Sequence, residues 1–298
     1  MRHIISIRDL DREGIDRLLD LAAEIEAKRY DPLLLRGRIL GLLFFEPSTR
    51  TRMSFESAMA RLGGISLNMG SVEASSVVKG ETLADTVRVV SGYVDAIVLR
   101  HPKEGAARLA SEFASVPVIN AGDGAGQHPS QTLLDLYTIR KSMPIDGVRV
   151  GLLGDLRYGR TTHSLAMALS LYGASIAAVA PKGLELPGGI VQELADRGTP
   201  VRECSRIEDV ICDLDVLYVT RIQRERFPDA ASYLDVASSY RITPELVEIA
   251  QPHMIVLHPL PRVDEIDPGV DALPNAKYFE QAHHGVSVRM AMLGEVMR

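Results

Sequence analysis

The run Ile39-Leu40-Gly41-Leu42-Leu43 is too apolar for a strand with one wet face, and it passes straight into a polar turn. Such a stretch predicts a strand buried on both sides, as in the parallel sheets of α/β proteins. Parallel strands need crossover connections, so this stretch points to repeating strand–helix units. The turn reads Phe44-Phe45-Glu46-Pro47-Ser48-Thr49-Arg50-Thr51-Arg52. Met53, Phe55, Ala58, Met59 and Leu62 then recur at helical spacing up to Gly63-Gly64. Three hydroxyls and two arginines thus stand where a helix begins, beside its unpaired N–H groups and the positive end of its dipole. The combination predicts an anion site, and phosphate suits it. The bland alternative makes Ser48 or Thr49 a helix cap and leaves the arginines solvated.

The rest of the chain repeats the pattern. Asp9 to Lys28 reads as an amphipathic helix or a pair of helices ended by Asp31-Pro32, and Ile65 to Met69 as a second strand. Ser71 to Gly80, with Ser75, Ser76 and Lys79, has little apolar periodicity and reads as a loop. The helix after it opens on Thr82-Leu-Ala-Asp85, a capping-box pattern. Asp95 to Leu99 is a strand that ends in Arg100-His101-Pro102. Val116 to Ile119 is another, followed by a glycine-rich loop that carries His128 and Gln131 into the helix Thr132 to Lys141. Ligands of open α/β sheets bind at the carboxyl ends of strands. Three such ends therefore carry groups suited to one anion: Ser48 to Thr51, Arg100, and His128 with Gln131.

Pro144 and Gly147 mark the main boundary. Strands over Val148 to Leu153, Ser175 to Val179, Pro200 to Glu203, Val216 to Thr220 and Met254 to Leu257 follow. The first ends in Gly154-Asp-Leu-Arg-Tyr-Gly-Arg160, which lacks the G-x-G-x-x-G spacing of a dinucleotide loop. The fourth ends in Arg221-Ile-Gln223, and the last in the stiff turn His258-Pro-Leu260-Pro261-Arg262, where an X-Pro bond is free to be cis. A final helix from about Val286 to Met297 is expected to return to the first domain.

At 298 residues the chain suits two domains. We expect an α/β fold of two similar-sized domains, each a mainly parallel sheet flanked by helices, over residues 1–140 and 141–283, with residues 284–298 packing back on the first. A composition of 46% hydrophobic and 24% charged residues supplies a full core. The net charge of −6, without a basic run, argues against nucleic acid as a partner. No signal peptide or long apolar span is visible, which points to a cytoplasmic protein with no membrane partner. Cys204 and Cys212 match no metal or disulfide spacing, and their neighbours suggest packing positions. Neither a metal nor a cofactor is expected.

Seven ordered motifs carry a resemblance over nearly the full length: Phe44-Phe-Glu-Pro-Ser-Thr-Arg-Thr51, Lys79-Gly-Glu-Thr-Leu-Ala-Asp85, Arg100-His-Pro102, Gln127-His-Pro-Ser-Gln131, Gly159-Arg-Thr161, Thr220-Arg-Ile-Gln223 and His258-Pro-Leu-Pro261. The chain resembles the carbamoyltransferases, and within them the branch that uses aspartate. The resemblance implies transfer of a carbamoyl group from carbamoyl phosphate to the amine of L-aspartate, a step of pyrimidine synthesis. It implies that Ser48, Thr49, Arg50 and Thr51 hold the phosphate, with Ser75 nearby, and that Arg50 also stabilises charge on the departing phosphate. Thr51, Arg100 and His128 would polarise the carbamoyl oxygen, and Gln131 with the carbonyls of Leu260 and Pro261 would accept from its amino group. Arg160, Arg221 and Gln223 would bind the aspartate carboxylates, and Lys79 would act as a catalytic and aspartate-binding residue between the phosphate and one of those carboxylates.

The family also implies a homotrimer in which the loop with Ser75 and Lys79 reaches a neighbour's site, and it leaves room for a separate regulatory chain. Val78 stands where a second basic residue often precedes that lysine. Glu46 is expected to pair with Arg160 and Arg226 of the second domain and favour a closed form. The nearest rival, an ornithine carbamoyltransferase, would carry a cysteine in the turn at His258-Pro-Leu-Pro261. A non-catalytic homologue and a nicotinamide dehydrogenase are the rivals from other classes.

Overall fold

The apolar runs pair in parallel throughout the computed structural model of the chain, which describes residues 3–70, 80–222 and 240–298. They form two sheets in two compact units, Met1–Tyr137 with Ala282–Arg298, and Thr138–Gln281.

In the first unit, β1 (Ile39–Phe44), β2 (Ile65–Asn68), β3 (Ala96–His101) and β4 (Val118–Asp123) lie in the order β2-β1-β3-β4, all parallel. The crossovers are α2 (Thr49–Arg61), α3 (Leu83–Val90) and α4 (Ala106–Phe113), with α1 (Arg12–Glu26) before β1 and α5 (Pro129–Ser142) after β4. Leu43, Ile97, Leu99 and Val118 pack with Val87, Ala107 and Ala110 on one face of this sheet. In the second unit, β5 (Arg149–Leu153), β6 (Ser175–Val179), β7 (Val201–Cys204), β8 (Val216–Val219) and β9 (Ile255–Leu257) lie in the order β7-β6-β5-β8-β9, again all parallel. Helices α6 (Arg160–Ser170) and α7 (Gly188–Asp196) cross over between its early strands. The expected α/β architecture therefore holds, and the C-terminal helix, Tyr278–Met297, packs on the first unit through its residues from Ala282 onward.

Several boundaries depart from expectation for visible reasons. Helix α1 ends at Glu26, well before Asp31-Pro32. Lys28 takes φ 59 there, its N–H donates to the Ile25 carbonyl at 2.9 Å, and the Arg29 N–H donates to that of Glu24 at 2.8 Å. This is the paired closure that normally uses glycine. The C-terminal helix starts eight residues before Val286 and runs through Gly285, where a Cβ would lie 2.2 Å from Arg289 Nη1. That glycine makes room for an arginine on the next turn and breaks nothing. Strand β4 continues to Asp123, into the expected glycine-rich loop. Cys204 is half-buried, but Cys212 is exposed, against the packing position expected for it. Among the described residues, no helix is long and apolar enough to cross a membrane.

The lower edge of the second sheet is tied by one carboxylate. Asp215, just before β8, accepts from Arg149 Nη2 at 2.7 Å, Arg149 Nε at 3.0 Å, the Arg149 N–H at 2.9 Å and His253 Nε2 at 2.8 Å. The Arg149 hydrogen bonds hold its carboxyl well below the usual range, against the opposing effect of burial. A carboxyl depressed in the folded state contributes stability above its unfolded pKa and loses it as pH falls. Asp215→Asn should therefore cost about 1–2 kcal/mol at pH 7, at the lower end of charge-assisted bonds because Arg149 is exposed. Urea unfolding should show that gap closing below about pH 4; a gap independent of pH would show that the charge contributes nothing.

Candidate active site

Both sheets reverse their winding at one point. The chain steps outward from β1 to β2, then returns to β3 on the other side, and the second sheet does the same between β5 and β8. Crevices for ligands open at the carboxyl ends of strands at such switch points. The predicted site residues of the first unit cluster around its switch point.

Ser48 to Thr51 follow β1 and open α2. Ser48 is the N-cap residue, yet its side chain makes no capping hydrogen bond. The reading of Ser48 as a simple cap thus fails on geometry, and its hydroxyl keeps its hydrogen-bonding capacity for a ligand. Thr51 is buried, and Arg50 is exposed on the first turn. Desolvation pushes the Arg50 guanidinium below its ordinary value, while it stays charged at neutral pH. Arg100 lies beside this turn because β1 and β3 are neighbours, with Phe44 opposite Arg100 in register and the Phe45 N–H donating to the Arg100 carbonyl at 2.8 Å. Its guanidinium is held from two sides: Nη1 donates to the Ala121 carbonyl at 3.1 Å, and Nε lies 3.4 Å from Glu46 Oε2. Glu46 therefore meets an arginine of its own unit; Arg226, one of its expected partners, lies outside the described residues.

His128 and Gln131 come from the end of β4 and the start of α5. Asp123, 5% exposed, shapes the loop before them by accepting from the Gln127 N–H, the Gly105 N–H and Asn120 Nδ2, each at 2.9 Å. His128 is buried, with Nδ1 3.3 Å from Ser130 Oγ. When that hydroxyl donates, the ring's other nitrogen, Nε2, carries the proton. Gln131 is also buried, and its Nε2 donates to Asp135 Oδ1 at 2.7 Å.

In the second unit, Arg160 opens α6 after β5, Arg221 follows β8, and Leu260-Pro261 follows β9. These three strands are adjacent, so the three groups share one edge. Gly154 allows the first two to approach. Its φ is 120, and a Cβ there would lie 2.2 Å from the Thr220 carbonyl oxygen. The turn onward from it is closed by Asp155 Oδ1, which accepts from the Tyr158 N–H at 3.1 Å, and by the buried His163, whose Nε2 lies 2.6 Å from the Leu156 carbonyl. His163 was not singled out from sequence, though its place on the first turn of a predicted helix after a strand marks it.

The Leu260-Pro261 turn is held by its neighbours' side chains. The peptide is cis and Leu260 has φ 55, a region few residues with side chains occupy. His258 Nδ1 accepts from the Leu260 N–H at 2.7 Å, and its Nε2 lies 2.8 Å from Glu265 Oε1. His258 is therefore the neutral tautomer that donates from Nε2. Glu265 also accepts from the N–H groups of Val263 and Asp264 at 3.0 Å each. Burial pushes its carboxyl up, but these donors outweigh burial and hold it below the ordinary range. Beyond the turn, Arg262 grips Asp271 with both Nη atoms and stacks 5.2 Å from the Tyr278 ring centroid. Ser75, Lys79 and Gln223 of the predicted site lie outside the described residues.

Residues 2–141 match the family described as "Aspartate/ornithine carbamoyltransferase, carbamoyl-P binding domain", and residues 146–295 its "Asp/Orn binding domain". The chain is 74% identical over 297 residues to a protein of Methanosphaerula palustris named "Aspartate carbamoyltransferase catalytic subunit", with all of both chains covered. The catalytic subunit of M. jannaschii aspartate transcarbamoylase superposes with a TM-score of 0.93 at 53% identity, covering 100% of this chain and 98% of that one. The Trypanosoma cruzi aspartate transcarbamoylase in complex with carbamoyl phosphate and aspartate gives 0.92 at 42% identity, with 100% and 97% covered.

Proposed function

The chain belongs to the aspartate/ornithine carbamoyltransferase family, and we propose on that premise that it transfers the carbamoyl group of carbamoyl phosphate to the amine of L-aspartate. The products are N-carbamoyl-L-aspartate and phosphate, in pyrimidine biosynthesis. The observation that carries this reading is the row of anion-binding groups at each switch point: Ser48 to Thr51 and Arg100 in one unit, Arg160 and Arg221 in the other. Both substrates are small and multiply anionic, and arginine forks match phosphate and carboxylate oxygens.

In our assignment, residues 1–140 with 284–298 hold carbamoyl phosphate and residues 141–283 hold aspartate. Ser48, Thr49, Arg50 and Thr51, with Ser75, bind the phosphate through hydroxyls, backbone N–H groups and the guanidinium. Thr51, Arg100 and His128 donate to the carbamoyl oxygen and stabilise the oxyanion as it forms. Gln131 and the carbonyls of Leu260 and Pro261 accept from the carbamoyl amino group. Lys79, Arg160, Arg221 and Gln223 orient the aspartate carboxylates. The neutral amine attacks the carbonyl carbon, the C–O bond to phosphate breaks, and phosphate leaves with the electron pair and takes up the amine proton. No covalent enzyme intermediate is needed, since positioning alone supplies much of the acceleration.

We read the protein as cytoplasmic and as a homotrimer with shared sites. The name "catalytic subunit" carried by its relatives supports a separate regulatory chain. The turn His258-Pro-Leu-Pro261 lacks the cysteine that the ornithine branch typically has there, which favours aspartate over ornithine. With carbamoyl phosphate supplied, the purified protein should release phosphate with aspartate and show none above background with ornithine. The reverse pattern would sink the assignment.

A further inference from the structure

We propose that Asp135 is a positioning residue that fixes which end of the Gln131 side-chain amide faces the substrate. The inference rests on the reading of Gln131 as an acceptor for the carbamoyl amino group, and it explains how an amide can be relied on to accept.

A glutamine amide has a donating end and an accepting end of nearly equal size, and nothing in its own shape chooses between them. Against a carbamoyl NH2 only the oxygen end is useful; the nitrogen end would set donor against donor. Gln131 Nε2 lies 2.7 Å from Asp135 Oδ1, one helical turn along α5, and both side chains are buried. An ionised carboxylate can only accept, so it holds the nitrogen end and turns Oε1 the other way.

Asp135 is fully buried, and a carboxylate there needs a nearby positive charge. Arg289 supplies it from the C-terminal helix. Burial pushes that guanidinium down to about 10, against the opposing pull of Asp135, so it remains charged at neutral pH. Its place is built for it. Gly285 leaves the space that a Cβ would fill at 2.2 Å from Nη1, and the Phe55 ring lies 5.1 Å from the guanidinium carbon. The C-terminal helix therefore bears on the substrate indirectly: the Arg289 charge and Asp135 attract each other, and Asp135 holds the nitrogen end of Gln131.

Three variants of the intact chain test this. Gln131→Ala removes the acceptor. In Asp135→Asn the arginine charge favours the amide oxygen on its side, so the NH2 faces Gln131, and the Gln131 amide inverts and presents its nitrogen to the substrate. Gln131→Glu combined with Asp135→Asn restores the acceptor, since a carboxylate at 131 accepts from the Asn NH2 and keeps a second oxygen for the carbamoyl group.

Each single variant should raise KM for carbamoyl phosphate about tenfold, the size of one lost hydrogen bond. Inhibition by inorganic phosphate, which has no carbamoyl group, should stay within about twofold, and the double variant should recover most of the loss. If Asp135→Asn weakens phosphate as much as carbamoyl phosphate, Asp135 is merely structural and the proposal fails. If Gln131→Ala is impaired and Asp135→Asn is not, the proposal fails while the reading of Gln131 stands. If Gln131→Ala is silent, that reading falls and takes the proposal with it. Should Asp135→Asn not fold, Gln131→Glu is compared with the double variant. Relief of two facing carboxylates and the restored geometry should make the double variant bind carbamoyl phosphate at least about tenfold tighter, and equal binding would overturn the idea.

Discussion

Arg50→Ala should lower kcat by about 10² to 10³-fold and leave the melting temperature unchanged or slightly higher. The kinetic loss follows from its assigned role. A cation aimed at charge that develops on the departing phosphate matters most in the transition state, and removing one such donor commonly costs that much. The stability expectation follows from its place in the fold. Arg50 is exposed on the first turn of α2, where a positive charge opposes the helix dipole and alanine is the better helix former. A kcat within about threefold of wild type would reject the role, and a fall in melting temperature would show that Arg50 supports the fold. The same variant probes the shared site. Inactive Arg50→Ala chains, dissociated and reassembled with inactive Lys79→Ala chains, should recover activity if Lys79 acts in a neighbour's site. No recovery would place both residues in one chain's site.

Glu265→Ala should destabilise the second unit by about 3 kcal/mol, because it strands three donors around a buried position. They are His258 Nε2–H and the N–H groups of Val263 and Asp264. For a unit of this size the loss corresponds to a fall in Tm of roughly 6–12 °C. Activity should fall further than stability explains, by at least about tenfold in kcat under conditions where the variant is folded. The Leu260 and Pro261 carbonyls depend on the His258 ring, and small misplacements of positioning groups are costly. Glu265→Gln should be nearly as harmful. Its NH2 would face the donating nitrogen of His258, and the other tautomer would set a proton against the Leu260 N–H. Wild-type Tm and kcat in Glu265→Gln would show that the carboxylate does not hold the turn.

The parts of this architecture that sequence reveals are those fixed by local pattern. Buried parallel strands announce themselves as apolar runs, and a helix start rich in hydroxyls and arginines announces an anion site. What stayed hidden depends on contacts between distant or disguised residues. Lys28 closes α1 in a conformation usually given to glycine, so no glycine marked the end. Gly285 resembles a helix breaker and is the space into which Arg289 folds. Asp135 sits among Leu133, Leu134, Leu136 and Tyr137, and no local pattern marks it, because every residue in that stretch is buried. Glu265 follows the proline-rich turn among charged neighbours, and its role appears only once the chain folds back on His258.

The uncapped start of α2 has a thermodynamic side. Asp11 and Thr82 cap α1 and α3 with side-chain oxygens, whereas Ser48 does not cap α2. A side-chain cap contributes about 0.5–2 kcal/mol, so α2 stands that much short of the stability its sequence could provide. On the proposed assignment the substrate's own phosphate supplies the missing acceptor, and ligand occupancy and helix order become one equilibrium. Position 48 is then where durability and turnover conflict. An aspartate would cap this helix well, and its charge would repel the phosphate the helix is left open to receive.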